Sequence, residues 1–353
     1  PGMTITGVGT LALAAFLLCA LGGGAGWLQL VFTTTLPGSI IPIYFSLVDA
    51  YIFFSISISP AFSFTLALMS ISLNLFLDYL NNGKWQNVIF ISLLAILSQT
   101  TNPIAFAVID LAFVGAALFL WWKNKKIEMH QFYALAIIAC AQIPLLVYNF
   151  HILERDPLWS QFTLQNQTLS PPPSYYAWGF APFWLLAIYG MTFAYRDKNP
   201  IMAALSTWVI SGFILAYLPL GIQRRFLLGI TIPLGILAIY GLNHVIKQVS
   251  IRKPSILRYD RLIYFGYILL SSFSLINLWL GSSLYLRTLP EDKFYPRDLE
   301  NALMWLDNNA TPNDFVLGNI RTGQLVAQRT RLRTYVGHPM ETLFFDDKLS
   351  STE

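Results

Sequence analysis

The stretch Gln223-Arg-Arg-Phe-Leu-Leu-Gly-Ile-Thr-Ile-Pro-Leu-Gly-Ile-Leu-Ala-Ile-Tyr-Gly-Leu-Asn-His-Val-Ile246 decides the fold class of this chain. Two adjacent arginines precede a run, residues 226–246, that contains no Asp, Glu, Lys or Arg. About 20 mostly apolar residues are the length with which an α-helix crosses the hydrocarbon core of a bilayer. The stretch therefore predicts a transmembrane helix that begins beside two guanidinium groups.

The whole chain carries too little charge for a water-soluble protein. Its 353 residues are 55% hydrophobic and only 11% charged, with a mean hydropathy of +0.55. A soluble domain has about 25% charged residues. The formal charge of +4 does not indicate a nucleic-acid partner, because the cations are spread over loops between apolar runs. Lipid is therefore the expected solvent for most of the chain.

Apolar runs recur along the first 285 residues. They predict an all-α polytopic membrane bundle of about nine transmembrane helices in residues 1–285, followed by a small extracytoplasmic α/β segment in residues 286–353. Residues 26–59 are more polar and contain several prolines, which favours short helices along the membrane interface. The nine predicted spans are 4–25, 60–80, 86–101, 104–122, 131–150, 176–194, 200–218, 226–246 and 262–285.

The distribution of Lys and Arg predicts how the chain crosses the membrane. One set of alternating loops carries eleven of these cations, whereas the other set carries three, Arg155, Arg224 and Arg225. Cytoplasmic loops are the ones enriched in Lys and Arg. We therefore expect a protein of the cytoplasmic membrane with its N-terminus inside and its C-terminal tail outside.

The tail has the pattern of a small α/β unit. Residues 296–306 and 322–328 have helical spacing or composition, and residues 314–317 and 333–336 are short apolar or β-branched stretches. Strands that alternate with helices are typical of a parallel pair. We therefore predict two parallel strands with a helix before each of them.

Arg224 and Arg225 are the first candidate binding residues. They either anchor the following helix by reaching lipid headgroups, or they bind a phosphate or pyrophosphate, which suits the planar fork of arginine. Their position on the loop set that is poor in cations favours the phosphate. Gln223 is a further candidate donor to the same anion.

Three other polar features are candidates for chemistry. Asp49, among aromatic neighbours, is a general base, a metal ligand or a loop aspartate. Asp110, inside a predicted span, either contacts a polar side chain on another helix or couples proton movement to transport. His338 and Glu341 either contact a substrate or a metal, so that a divalent cation is a possible cofactor, or belong to a structural turn.

Several of these features together resemble the GT-C membrane glycosyltransferases. They are the many spans, an isolated Asp in an outer loop, the segment 219–229 before a span, and the tail with Tyr335-Val-Gly-His338 and Glu341-Thr342. The likeness is to bacterial members of the protein-mannosyltransferase-like and arabinosyltransferase-like type. A likeness at the level of fold leaves the function to be argued from the site.

The resemblance implies transfer of a sugar from a polyprenyl-phosphate donor to a lipid, glycan or protein acceptor on the outer face of the membrane. Arg224, Arg225 and Gln223 would hold the donor phosphate, and Asp49 would be the catalytic base. The family usually has a pair of acidic residues in its first outer loop, whereas Asp49 has no acidic neighbour. The acidic residue that acts as the base is therefore either Asp49 or a residue that lies before Pro1. The alternatives are a transporter or lipid flippase with Asp110 on the route, and a non-catalytic membrane assembly protein.

Overall fold

A computed structural model describes residues 5–28, 47–289 and 293–351. The described chain is mostly helical, as predicted, and it divides into two compact units. The first unit comprises residues 1–147 and 168–278, and the second comprises residues 148–167 and 279–353. The α-helices, numbered in chain order, are α1 (Ile5–Leu21), α2 (Ile52–Ile58), α3 (Pro60–Asn82), α4 (Trp85–Thr101), α5 (Ala105–Asn124), α6 (Met129–Arg155), α7 (Pro157–Gln165), α8 (Pro173–Gly179), α9 (Ala181–Arg196), α10 (Pro200–Leu215), α11 (Thr231–Arg252), α12 (Asp260–Arg287), α13 (Arg297–Asn309), α14 (Ile320–Arg329) and α15 (Phe345–Ser350).

Local sequence sets where several of these helices begin and end. Pro60 and Pro200 lie in the first turns of α3 and α10, where a missing N–H costs nothing. The side chain of Asn199 accepts hydrogen bonds from the first backbone N–H groups of α10. Gly83 ends α3 with φ 68°, a conformation that glycine adopts without strain.

Five of the described helical segments are long and apolar enough to cross a membrane: 60–82, 105–124, 129–155, 223–252 and 254–287. A sixth is possible if α8 and α9, which are bent by 88° relative to each other, together form one span. Helices α1, α4 and α10, with 17, 17 and 16 residues, correspond to other predicted spans. At 1.5 Å per residue they reach only about 24–26 Å, which is less than the hydrocarbon thickness of about 30 Å. These three helices therefore differ from the five long segments in length. They do not differ in apolar composition, which is why the sequence predicted spans for all of them.

The predicted interfacial segment, residues 26–59, is only partly described, since residues 29–46 lie outside the described ranges. Its described end consists of a single 3₁₀ turn, Val48–Ala50, followed by α2. These are short helices of the kind that the sequence predicted.

Two glycines allow α9 and α11 to cross at backbone contact in the first unit. A Cβ added to Gly190 would lie 2.2 Å from the carbonyl oxygen of Leu237, and one added to Gly241 would lie 2.1 Å from that of Leu186. Small residues at a crossing let membrane helices pack closely where the hydrophobic effect contributes little. Helix α11 is therefore fixed against α9 by backbone shape.

The second unit contains a two-stranded parallel sheet, β1 (Phe315–Val316) and β2 (Arg333–Thr334), in which Phe315 pairs with Arg333. The order helix, strand, helix, strand is the predicted one. Leu303, Val326 and Leu332 form its buried core. Residues 148–167, which were predicted to belong to the membrane domain, are grouped with this unit instead of with residues 1–147.

We expect Gly190→Ala and Gly241→Ala to destabilise the protein. The added methyl group meets backbone atoms of the opposite helix, and overpacking of this kind costs about 1–3 kcal/mol. The measurement is the midpoint of thermal unfolding in detergent. Gly266→Ala on α12 is the matched control, because its Cβ meets nothing within 4 Å. Equal midpoints for Gly190→Ala and the control would contradict the close crossing.

Candidate functional site

A short turn that carries Asp49 is bonded to the beginning of α11. The backbone carbonyl of Asp49 accepts hydrogen bonds from the Gly229 N–H at 3.0 Å and the Ser55 hydroxyl at 3.1 Å. The hydroxyl of Thr231 donates to the carbonyl of Ala50 at 3.0 Å. These bonds place the Val48–Ala50 turn directly beside residues 216–230, which connect α10 to α11 and which we name the arginine loop.

This attachment brings the carboxylate of Asp49 to Arg225. Their closest charged atoms, Asp49 Oδ2 and Arg225 Nη1, lie 3.9 Å apart, and the Asp49 side chain is 11% exposed whereas that of Arg225 is 37% exposed. A charge-assisted hydrogen bond is shorter, about 2.7–2.9 Å. The guanidinium of Arg225 also lies over the ring of Phe62, 5.2 Å from its centroid. The ion pair is therefore loose, and Arg225 keeps surface with which it can contact a ligand.

The surroundings of Asp49 change its acidity. Burial raises the pKa of the Asp49 carboxyl above its usual value, while the charge of Arg225, the backbone N–H and the charge of Arg224 act in the opposite direction. A raised pKa makes a carboxylate a stronger base than an ordinary aspartate. The predicted role of Asp49 as the catalytic base stays a prediction.

The arginine loop is held by backbone bonds to the segment after α7. The N–H of Arg224 donates to the Thr168 carbonyl at 3.0 Å, and the N–H of Thr168 donates to the Gly221 carbonyl at 2.6 Å. The Gln223 side chain accepts from the Ser170 N–H at 2.8 Å and donates to the Leu218 carbonyl at 2.7 Å. Gln223 thus uses both ends of its amide to shape the loop. Its predicted role as a donor to a phosphate stays a prediction, and the second N–H of its amide nitrogen is the one that could serve it.

An apolar cavity of about 430 Å³ lies in the first unit, and aliphatic and aromatic side chains supply nearly all of its surface. Its larger lining residues are Tyr176, Phe180, Trp184, Met191, Phe213 and Ile214. The hydroxyl of Tyr176 donates to Ser170 Oγ at 2.9 Å, and the Ser170 N–H donates to Gln223 of the arginine loop. The ring of Tyr176 also lies edge-on to that of Tyr217 in the same loop, with 6.0 Å between the ring centroids. Tyr176 therefore contacts the cavity on one side and the surroundings of the arginine loop on the other.

Asp110 lies in a separate hydrogen-bond network between three helices. Its Oδ2 accepts from Gln142 Nε2 of α6 at 2.8 Å, and Gln142 Oε1 accepts from Gln99 Nε2 of α4 at 3.0 Å. This is the contact with a polar side chain on another helix that the sequence offered as one interpretation. The transporter alternative stays a prediction.

His338 and Glu341 lie together in the second unit, at a pocket of about 590 Å³. They belong to the turn after β2, in which the N–H of Glu341 donates to the His338 carbonyl at 3.1 Å. Within residues 5–28, 47–289 and 293–351, no group of three or more His, Cys, Asp or Glu side chains is placed to hold a metal ion.

The sequence did not reveal the residues that position the site, namely Phe62, Thr168, Ser170, Tyr176 and Thr231. The signal that could have indicated some of them is Ser170-Pro-Pro-Pro-Ser-Tyr-Tyr176. Consecutive prolines favour an extended backbone, and the third of them begins α8, so that Ser170 lies before the prolines and Tyr176 lies in the helix after them.

The charges of Asp49 and Arg225 should be energetically coupled. We expect Arg225→Gln to lower the unfolding midpoint in detergent more when Asp49 is present than in the Asp49→Asn background. With Asp49 present, the substitution leaves a buried carboxylate without its neighbouring cation. In the Asp49→Asn background there is no carboxylate to lose that partner. Exposure of Arg225 screens the pair, so the coupling should be about 0.5–1 kcal/mol. Additive effects of the two substitutions would contradict it.

Comparison with known proteins identifies no family for this chain. No family model matches the chain, and no curated protein matches it.

Proposed function

We propose that this protein is an integral membrane glycosyltransferase of the GT-C type. It moves a sugar from a polyprenyl-phosphate donor to a lipid, glycan or protein acceptor on the outer face of the membrane. The observation that carries the proposal is the position of Asp49, 3.9 Å from Arg225 of the arginine loop, in a unit that also contains an apolar cavity near that loop.

The donor is an amphiphile, and the first unit offers a partner for each of its ends. Two adjacent guanidinium groups complement a phosphate, which arginine binds through paired hydrogen bonds. The apolar cavity complements the isoprenoid chain, since burial of hydrocarbon is favourable in proportion to its area. Its volume of about 430 Å³ falls within the range of about 300–1,000 Å³ that is usual for ligand pockets.

The chemistry requires one bond to form and one to break. A hydroxyl oxygen of the acceptor attacks the anomeric carbon of the sugar, and the bond from that carbon to the phosphate oxygen breaks with its electron pair. The arginines stabilise the charge that develops on the leaving phosphate. Asp49 accepts the proton of the acceptor hydroxyl. Attack opposite the leaving group inverts the configuration at the anomeric carbon.

Replacing both arginines should abolish binding of the donor head group. In Arg224→Ala with Arg225→Ala, two cations that each contribute about 1.5–3 kcal/mol through charged hydrogen bonds are lost. We expect farnesyl phosphate, used as a probe, to bind about 100-fold more weakly or worse in detergent. Farnesol, which lacks the phosphate, should bind the variant and the parent equally.

Arg252→Ala with Lys253→Ala is the matched control, because it removes two adjacent exposed cations from the end of α11. It should leave the affinity for farnesyl phosphate unchanged. Equal weakening by both double substitutions would indicate attraction by net charge instead of a phosphate site. An unchanged affinity in the arginine variant would remove the basis of the proposal.

A base with a raised pKa should appear in the pH dependence of sugar transfer. Because burial raises the pKa of Asp49, the transfer rate should increase with pH along an acidic limb that lies above the ordinary range for aspartate. With saturating donor, Arg225→Gln should move this limb to higher pH, since a cation that favours the ionised form is gone. Asp49→Asn should lower the rate about 10²–10⁴-fold and abolish the limb. An acidic limb that is unchanged in Asp49→Asn would assign the base to another residue.

A further inference from the structure

The second unit contains a polar pocket of about 590 Å³ that the transfer reaction does not use. It lies between α14, the turn that follows β2, and α15. Its polar lining residues are Gln324, Gln328, Thr334, His338, Glu341 and Lys348. The volume is within the usual range for a small-molecule site, about 300–1,000 Å³.

One wall of the pocket presents two amides side by side. Gln324 and Gln328 are four residues apart on α14 and therefore share a helix face. Neither side chain has a hydrogen-bond partner within the part of the chain that the structure describes. Each amide carries two N–H donors and a carbonyl acceptor. This wall can therefore donate to and accept from the hydroxyl groups of a ligand.

The opposite wall is a turn that is fixed in shape. The Gly337 N–H donates to Thr342 Oγ1 at 3.2 Å, and the Thr342 N–H donates to the His338 carbonyl at 2.9 Å. The amide of Gln165, from the segment 148–167 of the same unit, donates to the Thr342 carbonyl at 2.8 Å. A ligand that binds here therefore meets groups that are already ordered, which reduces the entropic cost of binding.

The hydrogen bonds of His338 determine what it offers. Its Nδ1 accepts from the Met340 N–H at 3.2 Å. In a neutral imidazole the other nitrogen, Nε2, then carries the hydrogen and is a donor. His338 therefore complements an oxygen acceptor on the ligand.

The charges of the lining balance. Glu341 contributes a carboxylate and Lys348 an ammonium group, so that the pocket has no net charge when His338 is neutral. Lys348 also disfavours a divalent cation. Ala327 and Leu343 add apolar surface, which can contact the C–H groups of a ring. The arrangement favours a neutral ligand with many hydroxyl groups over an anion or a metal ion.

We propose that this pocket is a binding site for a sugar residue. The inference does not rest on the transfer reaction, since it concerns different residues, in the second unit, and a ligand without a phosphate.

Saturation-transfer NMR on the full chain tests this site directly. The protein is held in a zwitterionic detergent without a sugar head group, and a panel of neutral monosaccharides and disaccharides is added. At least one saccharide should receive saturation. In Gln328→Ala with Glu341→Gln, which removes one amide and one carboxylate charge from exposed side chains, its binding should weaken about tenfold or more. Asn308→Ala, an amide truncation on the exposed face of α13, should leave it unchanged.

Several outcomes would overturn the site. They are the absence of saturation on every saccharide of the panel, and a signal that persists unchanged in the pocket variant. The variant Arg224→Ala with Arg225→Ala separates this inference from the proposed transferase. It should keep the saccharide signal while it loses farnesyl phosphate, and loss of the saccharide signal there but not in the pocket variant would place the sugar elsewhere.

Discussion

The hydrogen bonds from Gly229 and Thr231 to the carbonyls of Asp49 and Ala50 are the contacts on which the candidate site depends. Backbone groups outside regular helices need hydrogen-bond partners wherever water does not reach them. Part of the backbone of the arginine loop bonds to the Val48–Ala50 turn on one side and to Thr168 on the other. These bonds bring the two chain segments that carry Asp49 and Arg225 together, and the side chains of the two residues then lie side by side.

Gly229 makes this attachment possible where the loop passes closest to α3. Gly229 has φ 67°, which side chains rarely adopt, and a Cβ there would lie 2.2 Å from Leu66 Cδ2. The conformation turns its N–H toward Asp49 while the loop stays close to α3. Close approach of backbones also sets the crossing of α9 and α11. Helix α11 thus has its position fixed by shape at its middle and by hydrogen bonds at its beginning.

The sequence predicted the features that depend on neighbouring residues and missed those that depend on distant ones. Apolar runs predicted the helices, and the spacing of Leu299, Leu303 and Leu306 predicted α13. Both predictions used local sequence, because the spacing of apolar residues indicates which face of a helix is buried. The contact of Asp49 with Arg225 joins segments far apart in the chain, and nothing near either residue encodes it. Gln223 has a side chain that could donate to a ligand, yet its amide forms hydrogen bonds with the backbone of Ser170 and Leu218. Residue type alone does not separate these two uses.

The two candidate sites differ in charge, and this difference carries a functional argument. The arginine loop holds two cations against one carboxylate, whereas the pocket of the second unit balances Glu341 with Lys348. A site with excess positive charge next to an apolar cavity suits an anionic lipid and gains little from neutral hydroxyl groups. A site with balanced charges and free amides binds hydroxyl groups without attracting phosphate. Under the proposed transfer and the proposed sugar site, the anionic lipid and the neutral sugar would be selected at separate sites by different physical forces.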